Sequence, residues 1–183
     1  MKHLLIVEGP DCVGKTTFCK QLVSCINAQY PKGAAVGLRT TFSKALQEGM
    51  LDYQTALFRD IQGIIDSGMV VVLDRSWPSE AVYAPVFRPL AKGPLTQVKI
   101  MAEQFAPAYI FLEREDVEKA HAEKKDKAHP YNKRQFAKVV KGYKKLAQEM
   151  GEDFFLGPRT FVEVFEDYKQ PDFIANHVST WIS

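Results

Sequence analysis

Residues 9–16 read GPDCVGKT, which fits the phosphate-binding pattern G-x-x-x-x-G-K-[ST] in full. The surroundings that this pattern requires are also present, because an apolar run at His3–Val7 precedes it and a helical pattern at Gly14–Ala28 follows it. Glycines in such a loop let backbone N–H groups turn inward around phosphate oxygens, and the positive end of the helix faces the same oxygens. The stretch therefore predicts a strand, a phosphate-binding loop and a helix, in that order.

The side chains of this loop predict how a nucleoside triphosphate binds. Lys15 can reach the β- and γ-phosphates, and the Thr16 hydroxyl can ligate Mg²⁺. ATP and Mg²⁺ are therefore the expected ligands. The expected contacts are the loop residues and the threonine after them: Gly9, Pro10, Asp11, Cys12, Val13, Gly14, Lys15, Thr16 and Thr17.

A second motif follows the apolar run MVVVL at residues 69–73. Asp74 ends this run, and an acid at that position lies beside the phosphate-binding loop and can hold Mg²⁺ together with Thr16. Arg75 comes next, at the carboxyl end of a predicted strand, where it suits an anionic ligand. Lys15, Asp74 and Arg75 are thus the candidate catalytic residues.

Strand and helix patterns alternate along the chain. The predicted helices after the first lie at Asp52–Ser67, with Asp52 as N-cap and Gly68 as C-cap, at Asn132–Met150 and at Pro171–Trp181. This order predicts an α/β fold with a five-stranded parallel sheet, helices on both faces and the site at the carboxyl ends of the strands. A chain of 183 residues suits one domain, residues 1–183. The predicted strands lie near residues 3–7, 35–39, 69–73, 109–113 and 160–165.

Composition narrows the function classes. Lys plus Arg is 24 and Asp plus Glu is 22, so the formal net charge is +2 and no stable nucleic-acid partner is expected. The three cysteines form no metal-ligand pattern and are expected to be reduced thiols. Only four consecutive apolar residues precede Glu8, too few for a signal peptide or a membrane span, so a cytoplasmic location without membrane contact is expected.

The run EGPDCVGKTT at residues 8–17 and the run DRSWPSEAVY at residues 74–83 together resemble the thymidylate kinase family. That family of deoxynucleoside monophosphate kinases shows E-G-x-D-G-x-G-K-[ST]-T, then D-R-[YFH]-x-x-S and a tyrosine a few residues on. Leu57–Phe58 also matches a Leu-Phe pair of the family. The resemblance implies a P-loop nucleoside/nucleotide kinase fold and transfer of the γ-phosphate of ATP to a deoxynucleoside 5′-monophosphate, a small-molecule acceptor.

The resemblance also implies roles for single residues. Asp11 would contact the 3′-hydroxyl of the acceptor sugar, and Arg75 would bind the acceptor phosphate. Phe58 would stack on the acceptor base. Tyr83 would pack beneath the deoxyribose, where a 2′-hydroxyl would clash. Arg39, Arg59 and Arg88 are weaker candidates for phosphate contacts, with surface salt bridges as their alternative.

The sequence departs from the family pattern at several acceptor positions. Gln62 stands where the family has a base-reading Arg, and at i+4 from Phe58 it is expected on the same helix face. Glu80 replaces an Asn or Gln after the matching serine, Ser79. Cys12 replaces a loop glycine, which makes the loop less permissive there. These departures leave the identity of the accepted base open.

Three other functions remain as alternatives. Asp74-Arg75-Ser76 also resembles the deoxynucleoside kinases, which need a carboxylate at the end of the second strand to deprotonate a 5′-hydroxyl. Here that strand ends in Arg39-Thr40-Thr41, which favours an acceptor that is already anionic. A kinase acting on a hydroxyl of a modified base, in a nucleotide or in DNA, is a second alternative. A non-kinase P-loop NTPase is the third, although the N-K-x-D segment of switch GTPases is absent.

Residues 119–134 are highly charged, and two interpretations of them stay open. They form either a solvated segment or a lid that closes over the donor phosphates and supplies cations late in the reaction. The lid hypothesis is motivated by the absence of an Arg from the phosphate-binding loop. The candidate lid cations are Lys119, Lys124, Lys125, Lys127, Lys133 and Arg134.

The resemblance to the thymidylate kinase family further suggests that the protein forms a homodimer.

Overall fold

The structure is a computed structural model, and it shows one parallel sheet with helices on both faces. The sheet contains β1 (Leu4–Glu8), β2 (Ala35–Arg39), β3 (Val70–Asp74), β4 (Ala108–Leu112) and β5 (Phe161–Phe165) in the order β2-β3-β1-β4-β5. All four pairings are parallel. The structure describes residues 3–30, 35–40, 49–88, 94–117, 119, 121, 132–152, 161–165 and 173–182.

The predicted strands are confirmed, each within one residue of its expected bounds. Strand register then brings the predicted site residues to one edge of the sheet. Asp74 is paired with Val7 on one side and with Arg39 on the other, so Glu8, Arg39 and Asp74 lie at the carboxyl ends of three adjacent strands. A ligand crevice forms at this edge in open α/β sheets.

Six helices cover the sheet in the described part of the chain: α1 (Lys15–Gln29), α2 (Met50–Asp66), α3 (Trp77–Phe87), α4 (Leu95–Glu103), α5 (Lys133–Glu152) and α6 (Phe173–Ile182). The helix predictions near α1, α2, α5 and α6 are confirmed in type and place, whereas α3 and α4 were not predicted. The sequence of α3, WPSEAVYAPVF, carries a proline in its first turn and another inside, and its apolar residues do not fall on one face.

The alternation of side chains along β1 divides the core into two clusters. Leu5 and Val7 pack on one face with residues of α1 and α6. Leu4 and Ile6 pack on the other face with residues of α2, α3, α4 and α5. Both faces of the strand are fully buried, which explains why Leu4–Val7 are all apolar.

The N-terminus of α2 differs from its prediction. The helix begins at Met50 with Gly49 as N-cap, so the prediction of Asp52 as the N-cap is wrong. Asp52 instead lies in the first turn, where a negative charge is favourable beside the helix dipole. At the other end the C-cap is Ser67 and not Gly68 as predicted; Gly68 follows it with a φ of 84°, a conformation that glycine adopts at little cost.

Most of the candidate lid lies outside the described residues. Lys124, Lys125 and Lys127 belong to that part. Lys133 and Arg134 are exposed in the first turn of α5, and Lys119 is also exposed.

None of the described helices has the length and apolar composition that crossing a membrane requires.

Candidate active site

The phosphate-binding loop takes its shape from its backbone. Gly9 has a φ of 141°, and a Cβ built there would lie 2.5 Å from the carbonyl oxygen of Leu112 in β4. Gly14 has a φ of 100° at the N-terminus of α1. Cys12 has a φ of 66°, so the loop takes a left-handed turn at this non-glycine residue, which costs about 1–2 kcal/mol.

Lys15 lies against this loop with 6% of its surface exposed. Its Nζ atom donates hydrogen bonds to the carbonyl oxygens of Gly9, at 2.8 Å, and Pro10, at 2.6 Å. Burial lowers the pKa of Lys15 to about 7, and the nearby Arg75 cation acts in the same direction. An anion bound at the loop would oppose both effects, because it favours the charged ammonium.

Thr16 and Asp74 meet as predicted. The Thr16 hydroxyl donates to Oδ2 of Asp74 at 3.1 Å. Oδ1 of Asp74 is buried and has no hydrogen-bond partner among the described residues. A hydroxyl beside a carboxylate with one free buried oxygen fits Mg²⁺, which binds through one or two protein oxygens and keeps several waters. The described residues contain no group of three His, Cys, Asp or Glu side chains that would form an all-protein metal site.

Arg75 directly follows Asp74 and is fixed at both its backbone and its side chain. Its φ of 76° is strained for a residue with a Cβ, and such strain persists only where the surroundings hold it. The Arg75 N–H donates to the carbonyl oxygen of Val7 at 3.1 Å, and the Thr40 hydroxyl donates to the Arg75 carbonyl oxygen at 2.8 Å. These contacts tie Arg75 to the ends of β1 and β2.

The guanidinium of Arg75 donates hydrogen bonds to Ser79, Tyr143 and Asp11. Nη1 donates to Oγ of Ser79 at 3.0 Å and to the phenol oxygen of Tyr143 at 3.1 Å. Nη2 donates to a carboxylate oxygen of Asp11. Asp11, which was predicted to contact the acceptor sugar, is thus paired with the residue predicted to bind the acceptor phosphate.

Glu8 lies behind these groups and is fully buried. Its Oε1 accepts the Ser76 backbone N–H at 2.6 Å, and its Oε2 accepts the Ser79 hydroxyl at 2.7 Å. Burial raises the pKa of Glu8 to about 7 against the opposing effects of these hydrogen bonds and of Arg75. The carboxyl group therefore joins β1 to the start of α3.

The loop, Asp74 and Arg75 line one cleft of about 390 Å³. Arg39 also lines it, with 65% of its side chain exposed and its Nε atom 3.9 Å from Asp74. Arg114 follows β4, and its Nη1 atom donates to the carbonyl oxygen of Cys12 at 3.4 Å. The complete lining is Asp11, Cys12, Gly14, Lys15, Thr16, Thr17, Arg39, Asp74, Arg75 and Arg114.

Two predicted acceptor residues on α2 do not line this cleft. Phe58 is buried in the core and stacks on Phe105 with ring centroids 5.9 Å apart. Gln62 is exposed and donates to Asp66 at 2.6 Å. Phe58 and Gln62 lie four residues apart on α2 but in different surroundings, because Ile61 and not Gln62 continues the buried stripe of the helix.

Of the predicted acceptor residues on α3, Tyr83 lies close to Arg75 and Glu80 pairs with the residue that follows the helix. The Cζ atom of Arg75 lies 5.2 Å from the centroid of the Tyr83 ring. Glu80 is buried and pairs with Arg88 at 2.6 Å, and neither residue lines the phosphate cleft. Arg59 is exposed on α2.

Sequence reasoning missed Tyr143, Thr40 and Arg114. Arg114 could have been found, because it stands just after the end of a predicted strand, where open α/β sheets place ligand contacts. Tyr143 lies in the apolar stripe of α5 and carries the one polar tip among Phe136, Val139, Tyr143, Ala147 and Met150. Nothing in the sequence indicates that this hydroxyl meets Arg75, which is 68 residues away.

No protein-family model and no curated protein matches the sequence. The solved structures that are similar in fold include two with a TM-score of 0.61 each. One is the YorR protein from Bacillus subtilis in complex with phosphorylated GDP, at 18% identity, covering 97% of this chain and 94% of that one. The other is thymidylate kinase from Candida albicans, at 17% identity, covering 97% and 89%. These similarities confirm the predicted P-loop nucleoside/nucleotide kinase fold.

Proposed function

We propose that this chain is an ATP-dependent nucleotide kinase that transfers the γ-phosphate to a deoxynucleoside 5′-monophosphate. One observation carries the proposal: a single cleft contains two separate buried cations, Lys15 at the loop and Arg75 beyond Asp74. Phosphoryl transfer between two phosphates needs one such site for the donor and another for the acceptor.

On the donor side, the triphosphate would bind along the loop and the N-terminus of α1. The loop N–H groups and Lys15 would neutralise charge on the transferred group. Thr16 and Asp74 would hold Mg²⁺. When bound, the metal ion would supply further positive charge to the donor phosphates.

On the acceptor side, Arg75 would bind the monophosphate and hold one of its oxygens in line with the γ-phosphorus. The acceptor oxygen forms the new P–O bond, the bond from the γ-phosphorus to the β–γ bridging oxygen breaks, and ADP leaves. The acceptor oxygen is already anionic, so no base has to remove a proton. Catalysis then depends on positioning and charge.

The end of β2 favours this acceptor over a nucleoside hydroxyl. It provides Arg39, which lines the cleft, and Thr40, whose hydroxyl is bonded to the Arg75 carbonyl. The described residues at this strand end include no carboxylate that could act as the base of a nucleoside kinase. The two similar proteins give further support, since one holds phosphorylated GDP and the other is a thymidylate kinase.

A substrate panel tests the proposal. ATP and Mg²⁺ are incubated with each deoxynucleoside, with each deoxynucleoside monophosphate including modified pyrimidines, and with a DNA oligomer. We expect diphosphate to form from at least one monophosphate and to require Mg²⁺. Transfer to nucleosides alone, or to a base hydroxyl alone, would replace the proposed acceptor by one of the alternatives. ATP hydrolysis without transfer to any acceptor would indicate a non-kinase NTPase.

A further inference from the structure

Two buried hydroxyls hold one end of the Arg75 guanidinium. Ser79 is fully buried and Tyr143 is 3% exposed, and both accept hydrogen bonds from Nη1. Neither lines the phosphate cleft. Nη2 instead bonds to Asp11, which does line it. The guanidinium is therefore oriented, with Nη1 turned into the protein and Nη2 turned toward the cleft.

The hydrogens of these two hydroxyls are directed away from Arg75. The Ser79 hydroxyl lies 2.7 Å and the Tyr143 hydroxyl 3.3 Å from the same carboxylate oxygen of Glu8, which only accepts when Glu8 is ionised. The Ser79 and Tyr143 oxygens are 2.6 Å apart, and either can donate to the other. Each hydroxyl hydrogen is therefore taken by Glu8 or by the other hydroxyl. Both oxygens then present lone pairs to Nη1 of Arg75.

The partners of Nη1 are also neutral. The Asp11 carboxylate already offsets part of the charge of the guanidinium at Nη2, and hydroxyls at Nη1 orient the group without adding a second offsetting charge. Glu8 is one hydrogen bond further away and accepts from both hydroxyls. Tyr143 lies on α5, so the orientation of Arg75 depends on a helix outside both sequence motifs.

We propose that Tyr143 is a positioning residue that fixes the guanidinium of Arg75 for the acceptor phosphate. The inference rests on the proposed function for its kinetic consequence. Its structural part, the locked orientation of Arg75, does not depend on which acceptor is used.

The kinetic test compares Tyr143→Phe with Tyr109→Phe. Tyr109 is a matched control, because it is equally buried and its hydroxyl accepts from Trp77 at 2.6 Å and donates to Glu103 at 2.8 Å, away from Arg75. We expect Tyr143→Phe to lower kcat/KM for the acceptor by about 10- to 100-fold, the effect of losing a hydrogen bond to a charged group. KM for ATP should change by less than about twofold in both variants.

The structural test uses NMR of the arginine side chains. The two Nη nitrogens give separate signals when rotation about the Nε–Cζ bond is slow, and Arg75→Lys assigns them. We expect slow rotation in the wild-type protein and in Tyr109→Phe, and fast rotation in Tyr143→Phe, with and without inorganic phosphate. Ser79→Ala should give the same change and serves if Tyr143→Phe does not fold.

The outcomes separate the two proposals. If the wild-type protein phosphorylates no acceptor, the proposed function is wrong, and the guanidinium spectra alone decide the role of Tyr143. Unchanged Arg75 rotation in Tyr143→Phe overturns the positioning role. So does an equal loss of acceptor kcat/KM in Tyr109→Phe, because the effect would then be one of general core stability.

Discussion

The phosphate-binding loop is held mainly by its own backbone, whereas Arg75 is held by side chains from distant parts of the chain. Gly9, Cys12 and Gly14 set the loop by their φ angles, and Lys15 bonds to carbonyl oxygens five and six residues before it. The partners of the Arg75 side chain come from the loop, α3 and α5. We call these two regions the donor side and the acceptor side.

This difference shows which parts of the site a short sequence motif is sufficient to predict. A loop shaped by its own backbone contains the N–H groups that bind the ligand, since the turn and the helix N-terminus are encoded within residues 9–16. A side-chain-built region requires the tertiary packing of three elements before its charged group has a defined direction. We therefore expect the effects of substitutions on the donor side to stay local. The effects of substitutions on the acceptor side should extend through the hydrogen-bond network.

The largest effect is expected at Lys15. Lys15→Ala removes the cation that we propose neutralises the transferred phosphate, and we expect turnover to fall by at least about 10²-fold, the scale of losing one electrostatic stabiliser. Steady-state kinetics with the best acceptor of the panel measures this. Lys20→Ala, an exposed lysine one turn further along α1, is the control and should leave turnover unchanged. Near-normal turnover in a folded Lys15→Ala protein would contradict the role of the loop.

A pair of glycine substitutions tests the backbone basis of the donor side. Gly9→Ala places a Cβ 2.5 Å from the Leu112 carbonyl oxygen at a φ of 141°, so we expect the free energy of unfolding to fall by about 2–3 kcal/mol. Gly63→Ala in α2 meets no atom within 4 Å and should raise it by about 1 kcal/mol through helix propensity. Urea unfolding of both variants is the measurement. A tolerated Gly9→Ala would show that the loop is not held at this contact.

The same difference explains how much could be predicted from the sequence. The strand MVVVL, the loop and α1 are local patterns, and the structure reproduces them within one residue. Thr16 and Asp74 also meet as predicted, because parallel strands align their carboxyl ends. These parts of the fold and site depend on residues close in sequence or on the general geometry of a sheet.

The remaining parts depend on packing that no local pattern encodes. α3 was missed because its two prolines and its lack of an apolar face hide a helix that the neighbouring elements stabilise. Gln62 was expected to face the site with Phe58 because it lies four residues further along α2. The side of α2 that packs on the core instead includes Ile61, and Gln62 is exposed. Tyr143 was overlooked because an aromatic in an apolar helical stripe looks like core, and only its hydroxyl distinguishes it.

A pH experiment on Glu8 probes the buried carboxyl behind the acceptor side. Its folded-state pKa of about 7 lies above the ordinary value of 4.5, so the folded state binds this proton more tightly than the unfolded state. The resulting stability is fully present below pH 4.5 and is lost as the pH rises to 7, with an upper limit of about 3 kcal/mol. Glu8→Gln does not titrate and should lack this loss.

Urea unfolding of both proteins between pH 4.5 and 7 gives the measurement, and titrating groups that do not interact with Glu8 cancel in the difference. We expect the stability of the wild-type protein relative to Glu8→Gln to decrease across this interval. Lys15, whose pKa is lowered to about 7 and which interacts with Glu8, begins to add stability toward the top of the interval, so the decrease should be clearest in its lower part. A difference that increases with pH would mean that Arg75 and the hydroxyls outweigh burial and lower the pKa of Glu8.

The smallest effect is expected at Gln62, and it separates the structure from the family resemblance. If Gln62 read the acceptor base, Gln62→Ala would lower acceptor kcat/KM by about tenfold or more, as the loss of paired hydrogen bonds does. The structure instead shows an exposed side chain bonded to Asp66 and absent from the cleft lining. We therefore expect a change of less than about twofold, typical of a surface substitution. Gln62→Ala and Tyr143→Phe, measured with the same acceptor, then show whether α2 or α5 carries the determinants of the acceptor side. A large loss in Gln62→Ala would mean that α2 turns its exposed face to the acceptor when the nucleotide binds.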